Sequence, residues 1–135
     1  MKKRRMEMIY LACPYSHDNM GIREWRYKRV TEAAAILVFT RKIPVYSPIT
    51  QTHPMDVHRI LHMPDVKLGD EHDFWLNMFD FPFLRTCSNL AVLMLPGWEE
   101  SKGVSMELKE AKWLGLEIEY LEPLYTEFGL VRGFA

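Results

Sequence analysis

The chain of 135 residues has the length of one globular domain and is long enough to bury a hydrophobic core. Hydrophobic residues make up 48% and aromatic residues 13% of it, a composition that excludes a largely disordered protein. The formal net charge of -1 argues against a broadly basic surface, and therefore against a nucleic-acid polymer as partner.

The sequence predicts neither a membrane span nor a secretion signal. No apolar run approaches the length of a membrane helix, and MKKRRMEMIYLACPYSHD has too short an apolar region for a signal peptide. Cys13 and Cys87 are far apart in sequence and predict no disulfide framework. We therefore expect a cytoplasmic protein with a single domain over residues 1–135. Its ends are a basic N-terminal tail at residues 1–7 and a C-terminal tail at residues 123–135.

The first half of the chain alternates between short apolar runs and a helical pattern. MIYLAC, residues 8–13, predicts a buried strand, and IPVYSPI, residues 43–49, predicts a second one. Between them, residues 22–42 carry apolar side chains at helical spacing and predict a helix. Residues 52–69 are the least regular, and the prolines within this region restrict it to at most a short helix, bracketed by Pro54 and Pro64.

The second half of the chain continues the alternation. Residues 70–88 predict a helix interrupted at Pro82, and NLAVLMLP, residues 89–96, predicts a strand covered on both faces. Residues 100–115 predict a helix closed by a glycine, and residues 116–123 predict the last strand. The predicted fold is an α/β three-layer sandwich, flavodoxin- or Rossmann-like, with a mostly parallel sheet of four to five strands.

In open parallel sheets, ligands bind at the carboxyl ends of the strands. The three loops that follow the predicted strands are CPYSHDN at residues 13–19, SPITQTH at 47–53 and PGWEESKG at 96–103. We expect these loops to converge and to contain the functional residues.

Glu107 stands out in the helix that follows the third of these loops. With Ser101 as the N-cap, Glu107 lies about 60° from the centre of the core stripe, at about 100° per residue. Helical side chains lean toward the N-terminus, so Glu107 points over Gly103, which has no side chain. The helix N-terminus favours an ionised carboxylate, which suits a nucleophile. The alternative is an ordinary helical glutamate that pairs with Lys109, Lys112 or solvent.

Three motifs carry a resemblance to a known family: IYLACPYSH near the start, YSPITQTHP in the middle and LAVLMLPGWEESKGVSMELKEAKWLG near the end. Together they resemble the nucleoside 2-deoxyribosyltransferase-like superfamily over residues 9–121, and in particular its small phage and bacterial members. The resemblance implies cleavage or exchange of the N-glycosidic bond of a nucleoside or nucleotide, without a cofactor or metal. It also implies that Glu107 attacks the anomeric carbon and that the protein assembles as a homo-oligomer, a dimer or higher.

The resemblance further implies an aspartate that protonates the leaving base. Asp80 is the nearest counterpart, with Asp73 as the fallback, in a reaction that follows the logic of retaining glycosidases. The alternative for Asp80 is a cap for the helical segment that Pro82 interrupts. Ser101 stands where the transferases that bind a free 5′-hydroxyl have an aspartate. A serine hydroxyl at a helix N-terminus donates to a phosphate, which favours a deoxynucleoside 5′-monophosphate as substrate.

Two positions depart from the pattern of the superfamily. Asn89 replaces an aspartate at the start of the central strand, and Cys13 replaces a glycine in the first loop. Asn89 lacks an acid-base function, and Cys13 is either a pocket residue or a small buried one. The remaining predicted binding residues come from the loops: Tyr10, Pro14, Tyr15, Ser16, Arg26, His53 and Trp98. For Tyr10 the alternative is core packing, for Arg26 a solvated position, and for Trp98 closure of its loop.

Three other functions remain as alternatives. His58 and His62 have the i, i+4 spacing of helical metal ligands, and His53, His72 and Asp73 are close in sequence, but the HExxH glutamate is absent. A non-catalytic nucleotide-binding protein would keep the pocket and lack the acid function. A flavodoxin-like module would have another protein as its partner.

Overall fold

A computed structural model of the chain describes residues 7–135, so residues 1–6 of the predicted N-terminal tail lie outside the described part. The strands are β1 Ile9–Ala12, β2 Val45–Tyr46, β3 Asn89–Leu93 and β4 Glu117–Leu121, followed by β5 Pro123–Tyr125 and β6 Val131–Phe134. The main helices are α1 Met20–Arg41, α2 Pro48–His62 and α5 Lys102–Leu114. Between α2 and β3, α3 Glu71–Asp73, a π-helical turn Phe74–Asp80 and α4 Phe81–Leu84 follow one another.

Four strands form a fully parallel sheet in the order β2-β1-β3-β4. Alternate residues of its two central strands face two different hydrophobic cores. Ile9 and Leu11 of β1 pack with α1, whereas Tyr10 and Ala12 pack with the segment from the π-helical turn to α4 and with α5. Helices therefore cover both faces, and the predicted three-layer α/β fold of the Rossmann-like type is confirmed.

The boundaries of two predicted helices agree closely with the structure. The Asn19 side chain caps α1 by accepting from the amides of Gly21 and Ile22, and the helix ends at Arg41. The Ser101 side chain caps α5 by accepting from the Val104 amide, and Gly115 ends it in a left-handed conformation.

The prediction that residues 52–69 are irregular is wrong, because α2 runs through most of this region. Pro54 lies inside this 15-residue helix, where a proline removes one backbone hydrogen bond at a cost of about 3 kcal/mol. One face of α2 nevertheless buries Ile49, Thr52 and His53 against the rest of the domain. This packing outweighs the local cost, so the helix continues past the proline.

The segment around Pro82 is continuous rather than broken. The π-helical turn ends at Asp80 and passes directly into α4, in which Pro82 occupies the first turn, where a missing amide costs little. Residues 123–135, predicted only as a tail, form the antiparallel hairpin of β5 and β6. Val131 of this hairpin is buried in the core beside α1, and its amide donates to the Glu32 carboxylate over 2.9 Å.

Within residues 7–135, none of the helices is both long enough and apolar enough to cross a bilayer. The two cysteines are free thiols, and both are buried.

Candidate active site

A cavity of about 600 Å³ lies at the carboxyl ends of β1, β2 and β3, where the sequence predicts that the three loops meet. Its wall includes nine of the predicted site residues: Cys13, Pro14, Tyr15, Ser16, Arg26, Asp80, Ser101, Gly103 and Glu107. The structure therefore brings together loops that are separated by up to ninety residues in sequence.

Glu107 is buried at the base of this cavity, with 5% of its surface exposed. It shares the buried face of α5 with Val104 and Ala111. The alternative of a solvated helical glutamate is therefore wrong. A Cβ atom at Gly103 would make ordinary van der Waals contact with Ser101 Oγ at 3.9 Å and with His72 Cε1 at 4.0 Å, so the cleared space over Gly103 stays a prediction.

Burial, rather than the helix dipole, dominates the charge state of Glu107. Desolvation raises its pKa to about 8, the Tyr10 hydroxyl lowers it, and the negative charge of Asp80 raises it further. Burial therefore opposes the ionised form that the helix N-terminus was expected to favour. The dipole effect is confined to the first turn of a helix, and Glu107 lies beyond the first turn of α5.

Asp80 is the second buried carboxyl group of the cavity, with 7% of its surface exposed. Burial raises its pKa to about 7. Its side chain makes no capping hydrogen bond to α4, so the alternative role as a cap is wrong. The fallback residue Asp73 is exposed, accepts a hydrogen bond from Asn77 over 2.7 Å and lies outside the cavity wall.

Two tyrosines adjoin the carboxyl pair from beneath the cavity. Tyr10 is fully buried in the core, and burial together with the charges of Glu107 and Asp80 raises its pKa. Its hydroxyl lies beside the Glu107 carboxyl without aligning in a hydrogen bond of standard geometry. Among residues 7–135, the buried polar side-chain atoms without a hydrogen-bond partner are the hydroxyls of Tyr10 and Tyr46 and Oδ1 of Asp80. The charges of Asp80 and Glu107 act on both tyrosine hydroxyls, so the three atoms belong to one polar cluster around this carboxyl pair.

Arg26 joins two of the loops that form the cavity. Its guanidinium donates to the carbonyl oxygens of Tyr15, Ser16 and Pro96 over 3.1–3.3 Å. Gly97, in a left-handed conformation with φ of 91°, leaves room for it, because a Cβ atom there would lie 3.0 Å from Arg26 Nη2. Arg26 thus fixes the spacing of the first and third loops.

Cys13 lies in the cavity wall and is buried, and its thiol donates to the carbonyl oxygen of Pro14 over 3.5 Å. Burial raises the pKa of this thiol well above its usual value, so Cys13 remains a neutral thiol and a poor nucleophile.

Four predicted binding residues lie outside the cavity wall. Tyr10 and His53 are buried behind it, where His53 contacts the wall residue Tyr15. Trp98 packs against Tyr120, with ring centroids 5.6 Å apart, and borders a neighbouring groove that shares Gly97 and Glu100 with the cavity. Its role as a binding residue stays a prediction.

The structure does not bring Asn89 into the cavity wall. This residue occupies the amino end of β3, opposite the carboxyl ends that form the cavity, and it bonds with Ser88 and Glu117. Asn89 therefore lies at the opposite end of the strand from the cavity that contains Glu107 and Asp80.

The sequence did not single out several residues of the cavity wall. They come from α1, α2, α3, the π-helical turn, the loop after β3 and the start of α5: Arg23, Pro48, Ile49, Thr52, Asp56, Glu71, His72, Trp75, Leu76, Gly97, Glu100 and Lys102. Residues 47–53 directly follow a predicted strand, and this position indicated that the first part of α2 would lie near the cavity. The contributions of α3 and the π-helical turn depend on how these segments pack, which has no local sequence signature.

The histidine-rich region does not assemble into a metal site. The rings of His58 and His62 are 4.9 Å apart on α2, whereas His53 is buried and bonded elsewhere. Across residues 7–135, no three His, Cys, Asp or Glu side chains group in a way that could hold a metal ion.

Comparison with known proteins identifies a family for this chain. Residues 7–122 match the family described as a domain of unknown function, DUF1937. Among curated proteins, none is similar enough in sequence to count as a match. The matched range covers the parallel sheet and the helices that form the cavity, and it ends just before the β5–β6 hairpin. The chain therefore belongs to the DUF1937 family.

Proposed function

We propose that the protein cleaves the N-glycosidic bond of a 2′-deoxynucleoside 5′-monophosphate or the related nucleoside, or transfers the deoxyribosyl group of that substrate to a second base. The observation that carries this proposal is a pair of buried carboxyl groups, Glu107 and Asp80, in one cavity at the carboxyl edge of the sheet. Burying carboxyl groups without cationic partners is costly, and such groups concentrate at functional sites. Among the described residues, no basic side chain lowers the pKa of either group.

The proposed reaction assigns one role to each carboxyl group. A Glu107 carboxylate oxygen attacks the anomeric carbon, and the bond between that carbon and the base nitrogen breaks. The electron pair of the broken bond goes to the base, which takes the proton of Asp80. Water or a second base then attacks the glycosyl ester, and the Asp80 carboxylate accepts the proton released. Glu107 leaves as a carboxylate, so both groups return to their starting states.

The reaction requires one proton on the pair, carried by Asp80. The raised pKa values of both groups favour the retention of a proton at neutral pH. Repulsion between two carboxylates, through which Asp80 raises the pKa of Glu107, disfavours loss of the last proton from the pair. Without a ligand, burial favours the proton on Glu107. The Tyr10 hydroxyl favours ionised Glu107, and positive charge that develops on the sugar in the transition state stabilises the same form.

The rim of the cavity supports a phosphorylated ligand. Ser101 caps the N-terminus of α5 as an acceptor, so its hydroxyl hydrogen is available to donate to a phosphate oxygen. Lys102 and Arg23 also belong to the cavity wall and supply positive charge. Trp75, Leu76 and Ile49 provide an apolar portion of the wall that suits the base.

A non-catalytic nucleotide-binding protein is the second candidate. The raised pKa of Glu107 supports it, because a carboxyl group that stays protonated at neutral pH is a poor nucleophile. In either case the partner is a small nucleotide or nucleoside. The free cysteines agree with a cytoplasmic location, and the superfamily resemblance favours a homo-oligomer.

The test is a base-release assay with a panel of deoxynucleoside 5′-monophosphates and deoxynucleosides, read by chromatography of the free base. We expect release by the wild type, loss of at least a thousandfold in Glu107→Gln, and near-normal release by the control Glu110→Gln. Glu110 lies on the same helix but outside the cavity wall, paired with Arg85 over 3.2 Å. Thermal stabilisation by a nucleotide without base release would favour the binding protein. The absence of both effects would favour the flavodoxin-like module.

A further inference from the structure

Three side chains from different elements form a continuous hydrogen-bonded chain that ends at the cavity. His53 Nδ1 lies 2.6 Å from the Tyr15 hydroxyl, and His53 Nε2 lies 2.6 Å from Glu24 Oε2. Tyr15 belongs to the cavity wall, whereas His53 is only 3% exposed. The Tyr27 ring stacks on the imidazole with centroids 4.5 Å apart and holds its plane. This Tyr15–His53–Glu24 chain uses α1, α2 and the loop after β1.

The chemistry of the three groups fixes the direction of the hydrogen bonds. A carboxylate accepts hydrogen bonds and cannot donate one, so the proton between Glu24 and His53 belongs to Nε2. In neutral imidazole the other nitrogen then carries no proton, so Nδ1 accepts from the Tyr15 hydroxyl. The Tyr15 oxygen is left with lone pairs and no second proton to donate.

We propose that Tyr15 is a specificity-determining residue whose hydroxyl oxygen, oriented by His53 and Glu24, accepts a hydrogen bond from an uncharged donor group of the ligand. A sugar hydroxyl or a ring N–H of the base has this chemistry. This inference rests on the proposed function, because it takes a nucleotide or nucleoside as the ligand of the cavity. His53 and Glu24 are positioning residues, since they act on the ligand through Tyr15.

The surroundings of Tyr15 keep its hydroxyl protonated. Burial raises the pKa of Tyr15 to about 12, with a further increase from Asp56 and smaller effects from Glu24 and Glu71. Arg23 opposes them, with its guanidinium carbon 5.9 Å from the ring centroid. Asp56 on α2 already has a cationic partner, because it forms an ion pair with Arg59 over 2.8 Å. The ligand group that donates to Tyr15 therefore need not carry a positive charge.

The first measurement concerns the tautomer of His53 in the ligand-free protein, read from imidazole nitrogen chemical shifts in two-dimensional NMR. We expect a proton on Nε2 and none on Nδ1 at neutral pH. Glu24→Ala should lose this preference, whereas Lys28→Ala should keep it. Lys28 contacts the same carboxylate at 3.9 Å from the solvent side and so serves as the matched control. A proton on Nδ1 in the wild type overturns the proposal, whatever the protein binds.

The second measurement is the dissociation constant of whichever deoxynucleoside 5′-monophosphate binds the wild type. Tyr15→Phe should weaken binding roughly three- to tenfold, the range for one neutral hydrogen bond. Tyr27→Phe, which removes a hydroxyl from the ring on the other side of His53, should leave it unchanged. His53→Asn, which places an acceptor near the position of Nδ1, should retain most of the affinity that His53→Leu loses. Equal binding by Tyr15→Phe and the wild type overturns the proposal.

The third measurement distinguishes the two donors by pairing Tyr15→Phe with an altered ligand. If the donor is the 3′-hydroxyl, a 2′,3′-dideoxynucleoside monophosphate binds the wild type and Tyr15→Phe equally. If the donor is on the base, Tyr15→Phe weakens the dideoxy ligand as much as the parent. Failure of the proposed function has a separate signature, because no nucleotide then binds the wild type at all. Absence of nucleotide binding would then overturn the proposed role of Tyr15 as well, even if the tautomer of His53 is the expected one.

Discussion

At the scale of single residues, Glu107 and Asp80 illustrate what a sequence conveys and what it omits. The helical phase placed Glu107 near the core stripe of α5, and the structure places it on the buried face of that helix. The phase did not convey the depth of burial, which raises the pKa of Glu107 and so opposes the ionised form. Nor did it convey that Tyr10 and Tyr46 surround the pair, because such contacts join residues far apart in sequence.

The first prediction concerns stability and follows from the raised pKa of Glu107. A pKa that rises from 4.5 to about 8 on folding contributes stability that is complete below pH 4.5 and lost as the pH rises through 8. Glu107→Gln removes this loss. The free energy of unfolding of Glu107→Gln minus that of the wild type should therefore become larger as the pH rises from 4.5 to 9. The increase should be at most on the order of 5 kcal/mol.

Urea denaturation of both proteins at pH 5 and pH 9 measures this difference. Glu110→Gln, on the same helix but outside the cavity, should show no comparable change between the two pH values. A difference between Glu107→Gln and the wild type that stays constant with pH would show that Glu107 is not desolvated in solution.

The second prediction concerns the pH dependence of base release. The pair must lose one proton to form the Glu107 carboxylate and keep the other on Asp80, so the rate should rise and then fall with pH. The pKa values of about 7 and about 8 place a narrow maximum between them, as apparent values of the coupled pair. Asp80→Asn should abolish the decrease at high pH. A rate that is still rising at pH 10 in the wild type would contradict these roles.

At the scale of elements, the start of α5 combines a structural and a recognition role. Ser101 accepts from the Val104 amide over 3.2 Å as the N-cap, and it lies in the cavity wall. Both features were predicted from the sequence, because N-caps and strand ends have local signatures. By contrast, α2 and the π-helical turn were missed or mispredicted. Tertiary packing holds α2 together through Pro54, and a π-helical turn has no simple periodicity.

The third prediction separates the two roles of Ser101. Ser101→Asp keeps a good N-cap, so the free energy of unfolding should change by less than about 0.5 kcal/mol. Its carboxylate repels a phosphate, so the affinity for a deoxynucleoside monophosphate should fall at least tenfold while deoxynucleosides are retained. Calorimetric titration with both ligand classes measures the change in preference.

Ser105→Asp is the matched control, because it adds the same charge to an exposed position of α5 outside the cavity wall. Its preference between monophosphate and nucleoside should equal that of the wild type. Equal loss of monophosphate affinity in both variants would indicate a long-range charge effect, and would remove Ser101 from the phosphate site.

At the scale of the whole molecule, the alternation of strands and helices was sufficient to predict the parallel sheet and the edge where its cavity lies. The sequence did not predict the β5–β6 hairpin, whose short strands alternate too little to be recognised locally. Asn89 was assigned to the site from the superfamily resemblance, and Trp98 from its place in the loop after β3. Asn89 lies at the amino end of its strand and Trp98 borders a neighbouring groove, and neither position has a local sequence signature. The homo-oligomer implied by the superfamily resemblance stays a prediction.

The central claim is that Glu107 forms a covalent bond to the sugar of a nucleotide. Its most direct test is mass spectrometry of the protein, quenched during turnover of the most reactive deoxynucleoside monophosphate and digested to peptides. We predict a deoxyribose 5-phosphate adduct on the peptide that contains Glu107, absent in Glu107→Gln and present in Glu110→Gln. Base release by the wild type with no adduct at Glu107, or with the adduct on another residue, would contradict the account.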